Sequence, residues 1–377
     1  MKQIAIIGAG ISGLYFANLL EMDSSFDYKI YEKRSMLNLH ESYGIQLSVN
    51  SIKLLNKIGF KNLSAYEVSF PNKVNFIDAK NNNKICDIDI TRFNEESNRY
   101  TTLKRSTLIK FLLNKVPDSK INYNIELKDI EYREKLKVNF SNNLNENFDY
   151  IIVSDGVFSN TRSIIAGKDI NPKFLKSVAL RGNIKTHSNS DISIFMGPNF
   201  HFVIYPVNQN NEYNFVSIIK KNLTQKQAED ENLFKNNDFL QSLISHINQN
   251  AFINLNGNLE NIKAFPIFVS EKLEIINRKN IFFVGDALFS FPPSFAQGAS
   301  QSIETSNDLF TDIKNESEKY YRERIIKIKS VNWRSKLNHL VFHLKNPLFT
   351  FIRNISLKYL TKNERFLKSY LENIYRN

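Results

Sequence analysis

Three glycines near the start of the chain have the spacing of a dinucleotide-binding turn. Gly8, Gly10 and Gly13 form G-x-G-x-x-G directly after a short apolar run. In this pattern the first glycine allows a tight turn, the second leaves room for a pyrophosphate, and the third lets a helix pack closely on a strand. The helix that begins near Ser12 and Leu14 would direct its partial positive charge toward the phosphates. The turn therefore predicts dinucleotide binding, but by itself it does not distinguish NAD from FAD.

An acidic residue follows at the distance that this interpretation requires. A second predicted strand, residues 28–31, ends at Glu32, beside Lys33. A carboxylate at this position accepts hydrogen bonds from a ribose diol, and we include both residues in the predicted cofactor site. A secretory signal is the competing interpretation of the N-terminal apolar residues. It is disfavoured because no small-x-small cleavage site follows and because Glu21 and Asp23 come soon after.

Two later stretches also run from an apolar strand into a turn. Residues 150–162 lead into Asp-Gly, after which Ser159 is placed to cap a short helix. Residues 281–305 lead into Gly-Asp at Asp286, and a further helix is predicted to begin near Gly298. Only 12 glycines occur in 377 residues, so each is expected where the backbone requires it.

Together the three stretches resemble the FAD-dependent aromatic hydroxylases, the single-component flavoprotein monooxygenases. They match the G-x-G-x-x-G, D-G and G-D motifs of that family in the family's order. Residues 41–59 and the segment TLKRSTLIKFLL from Thr102 are similar to further family stretches. The segments MGPNFHFVIYPVNQNNEYNFV and FHLKNPLFTFIRNISL resemble the salicylate and 3-hydroxybenzoate hydroxylase branch. The resemblance covers nearly the whole chain.

The resemblance implies FAD as cofactor and assigns roles around it. Glu32 would hold the adenosine ribose, and Arg105 would lie near the flavin or its pyrophosphate. Asp286 would bond the ribitol or phosphate side. The backbone at Leu127, in a predicted strand over residues 121–127, would pack on adenine. The reductant, NADPH or NADH, would bind without a fold of its own because no second G-x-G-x-x-G is present.

Gly298 and Ala299 are expected at the flavin ring. Flavin reduction leaves negative charge at the pyrimidine edge, which backbone N–H groups at a helix N-terminus would stabilise. By the family's chemistry, NAD(P)H reduces FAD, O2 then gives a flavin hydroperoxide, and a phenolic substrate receives one hydroxyl.

A base would assist this chemistry, because the pKa of a phenol is about 10. His201 is the candidate: Tyr205 lies four residues further along a predicted strand, so both side chains share one face and one cavity. The family branch also has a catalytic His with a Tyr four residues later. The competing interpretation is a half-buried histidine bonded to backbone. The other histidines have no such context: His40, His187, His246, His339 and His343.

The chain departs from the family pattern at two positions. Phe289 stands where the family usually has His, and Val49 stands where Pro is usual. Phe289, Phe291 and Phe295 predict an apolar aromatic lining for the substrate site, with core packing as the alternative. These departures leave the substrate open.

The predicted fold is α/β, a Rossmann-like FAD domain with an inserted, mostly antiparallel substrate-binding sheet and C-terminal helices. We predict a discontinuous FAD-binding domain over residues 1–70, 101–170 and 270–313, a substrate domain over 71–100 and 171–269, and a basic helical region over 314–377.

Charge and cysteine content restrict the partners. The net charge is +12, and residues 314–377 hold 15 Lys/Arg against 5 Asp/Glu. No nucleic-acid motif accompanies this charge, so no nucleic-acid partner is predicted, while peripheral membrane contact through the tail stays open. With Cys86 as the only cysteine, no internal disulfide or zinc cluster can form, and no metal site is predicted. We expect a cytoplasmic monomer or homodimer.

Two functional alternatives are a membrane-surface hydroxylase of a quinone or polyprenyl-phenol precursor and a non-catalytic FAD-binding protein.

Overall fold

The computed structural model describes residues 1–40, 43–184 and 189–375. The strands, in chain order, are β1 Lys2–Ile7, β2 Phe26–Glu32, β3 Gly44–Leu47, β4 Val68–Ser69, β5 Lys73–Asp78, β6 Lys84–Asp89, β7 Thr101–Lys104, β8 Ile121–Tyr123, β9 Leu127–Tyr132, β10 Leu136–Phe140, β11 Asn145–Phe148, β12 Tyr150–Val153, β13 Lys173–Ile184, β14 Ile192–Gly197, β15 Phe200–Pro206, β16 Tyr213–Lys220, β17 Leu259–Val269 and β18 Ile281–Phe283. The α-helices are α1 Ile11–Glu21, α2 Val49–Lys57, α3 Arg105–Leu113, α4 Asn160–Ala166, α5 Gln225–Glu229, α6 Glu231–Lys235, α7 Asn237–Asn250, α8 Gly298–Asn315, α9 Tyr320–Phe342, α10 Pro347–Leu360, α11 Glu364–Leu367 and α12 Asn373–Tyr375.

A five-stranded parallel sheet contains the N-terminal strand at its centre. Its order is β18-β12-β1-β2-β8, and each neighbouring pair is parallel. The last four residues of β1 are apolar and buried, and the strand contacts both α1 and β11, as is usual for parallel strands covered on both faces. The helices α1 and α8 pack against each other beside this sheet. The carboxyl ends of β1, β12 and β18 therefore meet at one edge, which brings the three predicted turns together.

A seven-stranded sheet forms the second layer. Its order is β17-β13-β16-β15-β14-β5-β6, antiparallel except where β14 pairs with β5. It combines a hairpin from the segment 71–100 with strands from the segment 171–269, and the predicted hairpin tip near Asn81 joins β5 to β6. The predicted mixed α/β fold is confirmed, while the division into domains stays a prediction.

One predicted strand is wrong. The chain leaves β8 at Tyr123 and begins β9 at Leu127, in a separate three-stranded sheet. Asn124 lies between them in the left-handed region, with φ 59°, which asparagine tolerates better than most residues. The N–H groups of Asn124 and Ile125 donate to the carbonyls of Arg34 and Glu32. These bonds end the strand and turn the chain past the end of β2.

Helices close the chain, and a buried charge cluster attaches α9 to α8. Arg324 of α9 is buried; it donates to Asp308 at 2.8 Å and to Glu304 at 3.3 Å. Within residues 1–40, 43–184 and 189–375, none of the helices has the length and apolar character that spanning a bilayer requires.

Candidate functional site

The N-terminal turn has the shape that its glycines predict. Gly8 has φ +102°, and Gly13 lies so close to the turn that an added Cβ would stand 2.1 Å from the Gly8 carbonyl oxygen. At Gly10 the nearest atom to an added Cβ, the Ser154 carbonyl oxygen, is 3.9 Å away. Protein atoms therefore leave no room for a side chain at Gly13, whereas Gly10 faces open space at the N-terminus of α1. No side chain caps this terminus, so its N–H groups can receive an anion.

The other two glycine-bearing turns contact this one. Ser154, at the end of β12, donates from Oγ to the carbonyls of Ile7 and Gly8 at 2.9 and 2.8 Å. An added Cβ at Gly285 would lie 2.5 Å from Oγ of Ser12. Three segments distant in sequence thus form one continuous surface.

Glu32 and its neighbours lie at one end of this surface. The Glu32 carboxylate is buried and accepts from the N–H groups of Ala9 at 2.9 Å and Arg34 at 3.0 Å. These bonds fix the carboxylate beside the turn, where a ribose would approach. Lys33 next to it is exposed.

Leu14 and Leu127, two other predicted cofactor residues, have buried side chains in the apolar core. The Leu14 N–H is already bonded to the Gly10 carbonyl at 2.9 Å. The Leu14 side chain therefore packs in the core, and the assignment of Leu14 and Leu127 to the cofactor site stays a prediction.

Asp286, Gly298 and Ala299 lie at the other end, on the wall of a large cavity. Burial raises the pKa of Asp286 to about 6, while the nearby Arg105 guanidinium opposes this rise. Two predicted residues, Asp286 and Arg105, therefore interact electrostatically. Gly298 begins α8, and an added Cβ there would meet no atom within 4 Å. No side chain caps α8, so a second helix N-terminus faces open space.

The cavity has a volume of about 850 Å³ and is mostly apolar. The seven-stranded sheet, the loop before α8, and the helices α9 and α10 enclose it. Phe291 and Phe295 lie on its wall, as predicted. Phe289 does not: it is buried in the core around the parallel sheet, which favours the packing alternative for this residue.

The alternation of β15 directs the two predicted catalytic side chains into this cavity. Phe200, Phe202 and Ile204 pack in a core cluster with α7, whereas His201 and Tyr205 line the cavity. The predicted common face is therefore observed. Tyr205 is buried, and this burial raises its pKa, with the charge of Arg181 acting in the opposite direction.

His201 belongs to a histidine cluster that the sequence did not reveal. Its Nδ1 lies 2.8 Å from Nε2 of His343, and one imidazole donates while the other accepts. The ring of His339 lies 4.4 Å from that of His343. His339 and His343, which lack the sequence context of His201, thus lie in one cluster with it. His187 lies outside the described residues. Burial, with a smaller effect from His339, lowers the pKa of His201 to about 3, so the ring is neutral at pH 7.

Arg181 is a second cavity residue that the prediction missed. Its guanidinium lies 4.4 Å from the ring centroid of Tyr43 and 5.8 Å from that of Phe265. Its Nε is buried and has no hydrogen-bond partner in the described part of the chain. The signal was a single cation within the apolar strand segment VALRGNI. An anionic group in the cavity would find a counter-charge here.

Comparison with known proteins decides the family. The model of the FAD binding domain family matches residues 1–318. The chain belongs to this family. A similar relative is 6-hydroxynicotinate 3-monooxygenase of Pseudomonas fluorescens, 23% identical over 80% of each chain. Among solved structures, Klebsiella pneumoniae HpxO complexed with FAD and uric acid aligns with TM-score 0.83 and 18% identity over 99% of this chain and 96% of that one. A salicylate hydroxylase substrate complex aligns with TM-score 0.75 and 16% identity over 98% and 97%.

The predicted resemblance to the FAD-dependent aromatic hydroxylases is confirmed, and the flavoprotein is a monooxygenase of that type. Its residues fit FAD on structural grounds. Two uncapped helix N-termini face open space beside Gly10 and Gly298. The buried carboxylate of Glu32 lies at one end of this surface, where a ribose would bind, and Asp286, near Arg105, lies at the end beside the cavity. A dinucleotide with an anionic pyrophosphate in its middle would satisfy this arrangement.

Proposed function

We propose that this flavoprotein uses NADH or NADPH and O2 to hydroxylate a small phenolic substrate bound in the cavity beside His201. The single observation that carries the proposal is the continuity of that cavity. The same wall contains the N-terminus of α8 and the side chains of His201 and Tyr205. Bound FAD supplies the electron transfer from the nicotinamide and the activation of O2.

His201 is proposed as the group that accepts the phenolic proton. Its Nδ1 is engaged with His343, which leaves Nε2 for the substrate. An imidazole with a pKa near 3 cannot remove a proton from a resting phenol. The transfer therefore belongs to the hydroxylation step, when the phenolic oxygen donates electrons into the ring and its proton becomes acidic. His343 would fix the orientation of the ring throughout.

Arg181 and Tyr205 are proposed to position the substrate. The guanidinium supplies positive charge to a cavity whose other walls are mostly apolar, and it would stabilise negative charge on the substrate oxygen or on an acidic substituent. Burial raises the pKa of Tyr205, so its hydroxyl remains protonated and can donate a hydrogen bond.

A phenol screen tests the proposal. The protein, loaded with FAD, is offered NADH or NADPH and a panel that includes salicylate, 6-hydroxynicotinate and urate. We expect one of the compounds to stimulate nicotinamide oxidation and to gain one oxygen atom, derived from labelled O2, as detected by mass spectrometry. Hydrogen peroxide without a hydroxylated product for every compound would contradict the proposal. Absence of any nicotinamide oxidation would favour the non-catalytic alternative.

His201→Gln tests the proton acceptor, with His246→Gln as the matched control. His246 is a histidine of α7 that does not line the cavity. We expect the first variant to bind FAD normally and lose product formation, and the second to retain it. Full turnover by His201→Gln would remove the assignment.

A further inference from the structure

Helix α10 carries an apolar stripe that no other part of the described chain covers. Leu348, Ile352, Ile355 and Tyr359 repeat at intervals of four, three and four residues, and Phe351 lies beside them. Their exposed fractions are between 49% and 69%. Such spacing places them on one side of the helix. A cluster this large on a surface indicates a binding partner, whereas scattered apolar residues do not.

The opposite side of α10 is packed on the protein, which fixes the direction of the stripe. Arg353 is buried, and Leu357 packs in a cluster with residues of β5, β6 and α9. The helix is therefore held firmly, with its apolar stripe turned outward. It does not need a partner in order to fold.

The chain around the stripe is rich in basic residues. Residues 324–363 contain nine Lys/Arg and no Asp/Glu, and three of the nine, Arg324, Arg334 and Arg353, are buried. Lys345, Lys358 and Lys362 are exposed at or beside the ends of α10. A second copy of this chain would bring positive charge against positive charge, which disfavours self-association. An anionic surface would meet complementary charge.

The cavity reaches the surface beside the stripe. Its wall includes Leu340, Phe349 and Ile352, whose exposed fractions are 57%, 56% and 49%. Ile352 belongs to both the cavity wall and the stripe. A surface that covered the stripe would therefore lie next to one opening of the cavity.

We propose that α10 docks this protein on an anionic phospholipid bilayer. The stripe enters the boundary between headgroups and acyl chains, and the lysines bind lipid phosphates, as in interfacial amphipathic helices. This inference goes beyond the proposed function and is independent of turnover, because docking needs neither substrate nor reductant.

Flotation with vesicles tests the inference on the full chain loaded with FAD. Vesicles of phosphatidylcholine alone are compared with vesicles that contain phosphatidylglycerol. We expect binding to the anionic vesicles and at least about tenfold weaker binding to the neutral ones. Binding to the anionic vesicles should also weaken as salt rises. Absence of binding to anionic vesicles at low salt would overturn the proposal.

Paired variants make the test specific. Leu348→Ser with Ile355→Ser changes the stripe without touching the cavity wall, and Phe252→Ser is the control, since Phe252 is 71% exposed elsewhere. Lys358→Glu with Lys362→Glu is compared in the same way with Lys226→Glu on α5.

We expect each double variant to bind anionic vesicles at least about tenfold more weakly, with unchanged melting temperature and FAD content. The controls should bind like the original protein. Equal binding by the double variants, or a dimer in solution that Leu348→Ser with Ile355→Ser dissociates, would overturn the membrane assignment; the dimer would identify a second copy as the partner. Since no activity is measured, failure of the hydroxylase proposal would leave this result unaffected.

Discussion

We predict that Gly10 is needed for FAD binding, whereas Gly13 is needed for folding. The substitution Gly10→Ala tests this difference. Gly10 has φ −79° and ψ −173°, an extended conformation open to alanine. The added Cβ would lie 3.9 Å from its nearest protein atom, an ordinary contact. We therefore expect the apoprotein to keep its stability or to gain about 0.4–1 kcal/mol, because alanine restricts the unfolded chain.

The same methyl group would occupy the space in which we place the pyrophosphate. Crowding by one methyl in a close-packed contact costs about 1–3 kcal/mol. At 1.4 kcal/mol for each factor of ten, the dissociation constant for FAD should rise roughly 5- to 150-fold. Titration of the apoprotein with FAD, followed by flavin fluorescence, measures this constant, and thermal melts of the apoprotein measure stability.

Gly13→Ala is the matched control. Its Cβ would stand 2.1 Å from the Gly8 carbonyl oxygen and 2.6 Å from Ser154 Oγ. A backbone oxygen cannot rotate away, so we expect this variant to lose apoprotein stability and FAD binding together. If Gly10→Ala binds FAD as tightly as the original protein, the pyrophosphate does not pass this point and our placement of the cofactor is wrong.

Three further predictions concern the cavity and the helices behind it. His201→Gln should lower the rate of product formation by roughly 10²–10⁴-fold, measured as hydroxylated product at saturating phenol; an unchanged rate would show that no base is needed at this position. Asp286 has a pKa of about 6 in the folded protein against 3.8 as reference, so the folded state binds an extra proton between these values and the charged form destabilises it above pH 6. Asp286→Asn should therefore stabilise the apoprotein by up to roughly 3 kcal/mol at pH 8 and much less at pH 4, measured by denaturant unfolding; equal effects at both pH values would contradict this. Arg324→Ala should destabilise the protein by about 3–5 kcal/mol in urea, because it leaves the buried Glu304 carboxylate without its main counter-charge; a loss below 1 kcal/mol would show that water or Lys327 replaces it.

The sequence predicted the features that local rules determine. The turn at Gly8 follows from three spaced glycines after an apolar strand, and the turn at Asp286 follows from the Gly-Asp pair after another. The common face of His201 and Tyr205 follows from strand alternation. These features need only a few consecutive residues, so they can be inferred without the rest of the fold.

Features formed by distant parts of the chain were missed. His343 lies 142 residues from its partner His201, and no periodicity relates the end of α9 to the middle of β15. The predicted strand through Leu127 failed because Asn124 adopts a left-handed conformation that bonds to the end of β2. Arg181 was overlooked because its packing between two aromatic rings joins three separate segments. Each miss depends on tertiary contacts that local propensity does not contain.

The central place of β1 in its sheet has a consequence for biosynthesis. A ribosome makes β1 about 140 residues before β12, its partner on one side, and makes the edge strand β18 later still. At about 5–20 residues per second, this apolar strand waits roughly 7–30 seconds before its pairing is complete. Pairing over such sequence distances is slow and leaves the nascent chain prone to aggregation. Production of this protein should accordingly improve with slower translation at low temperature or with extra chaperone.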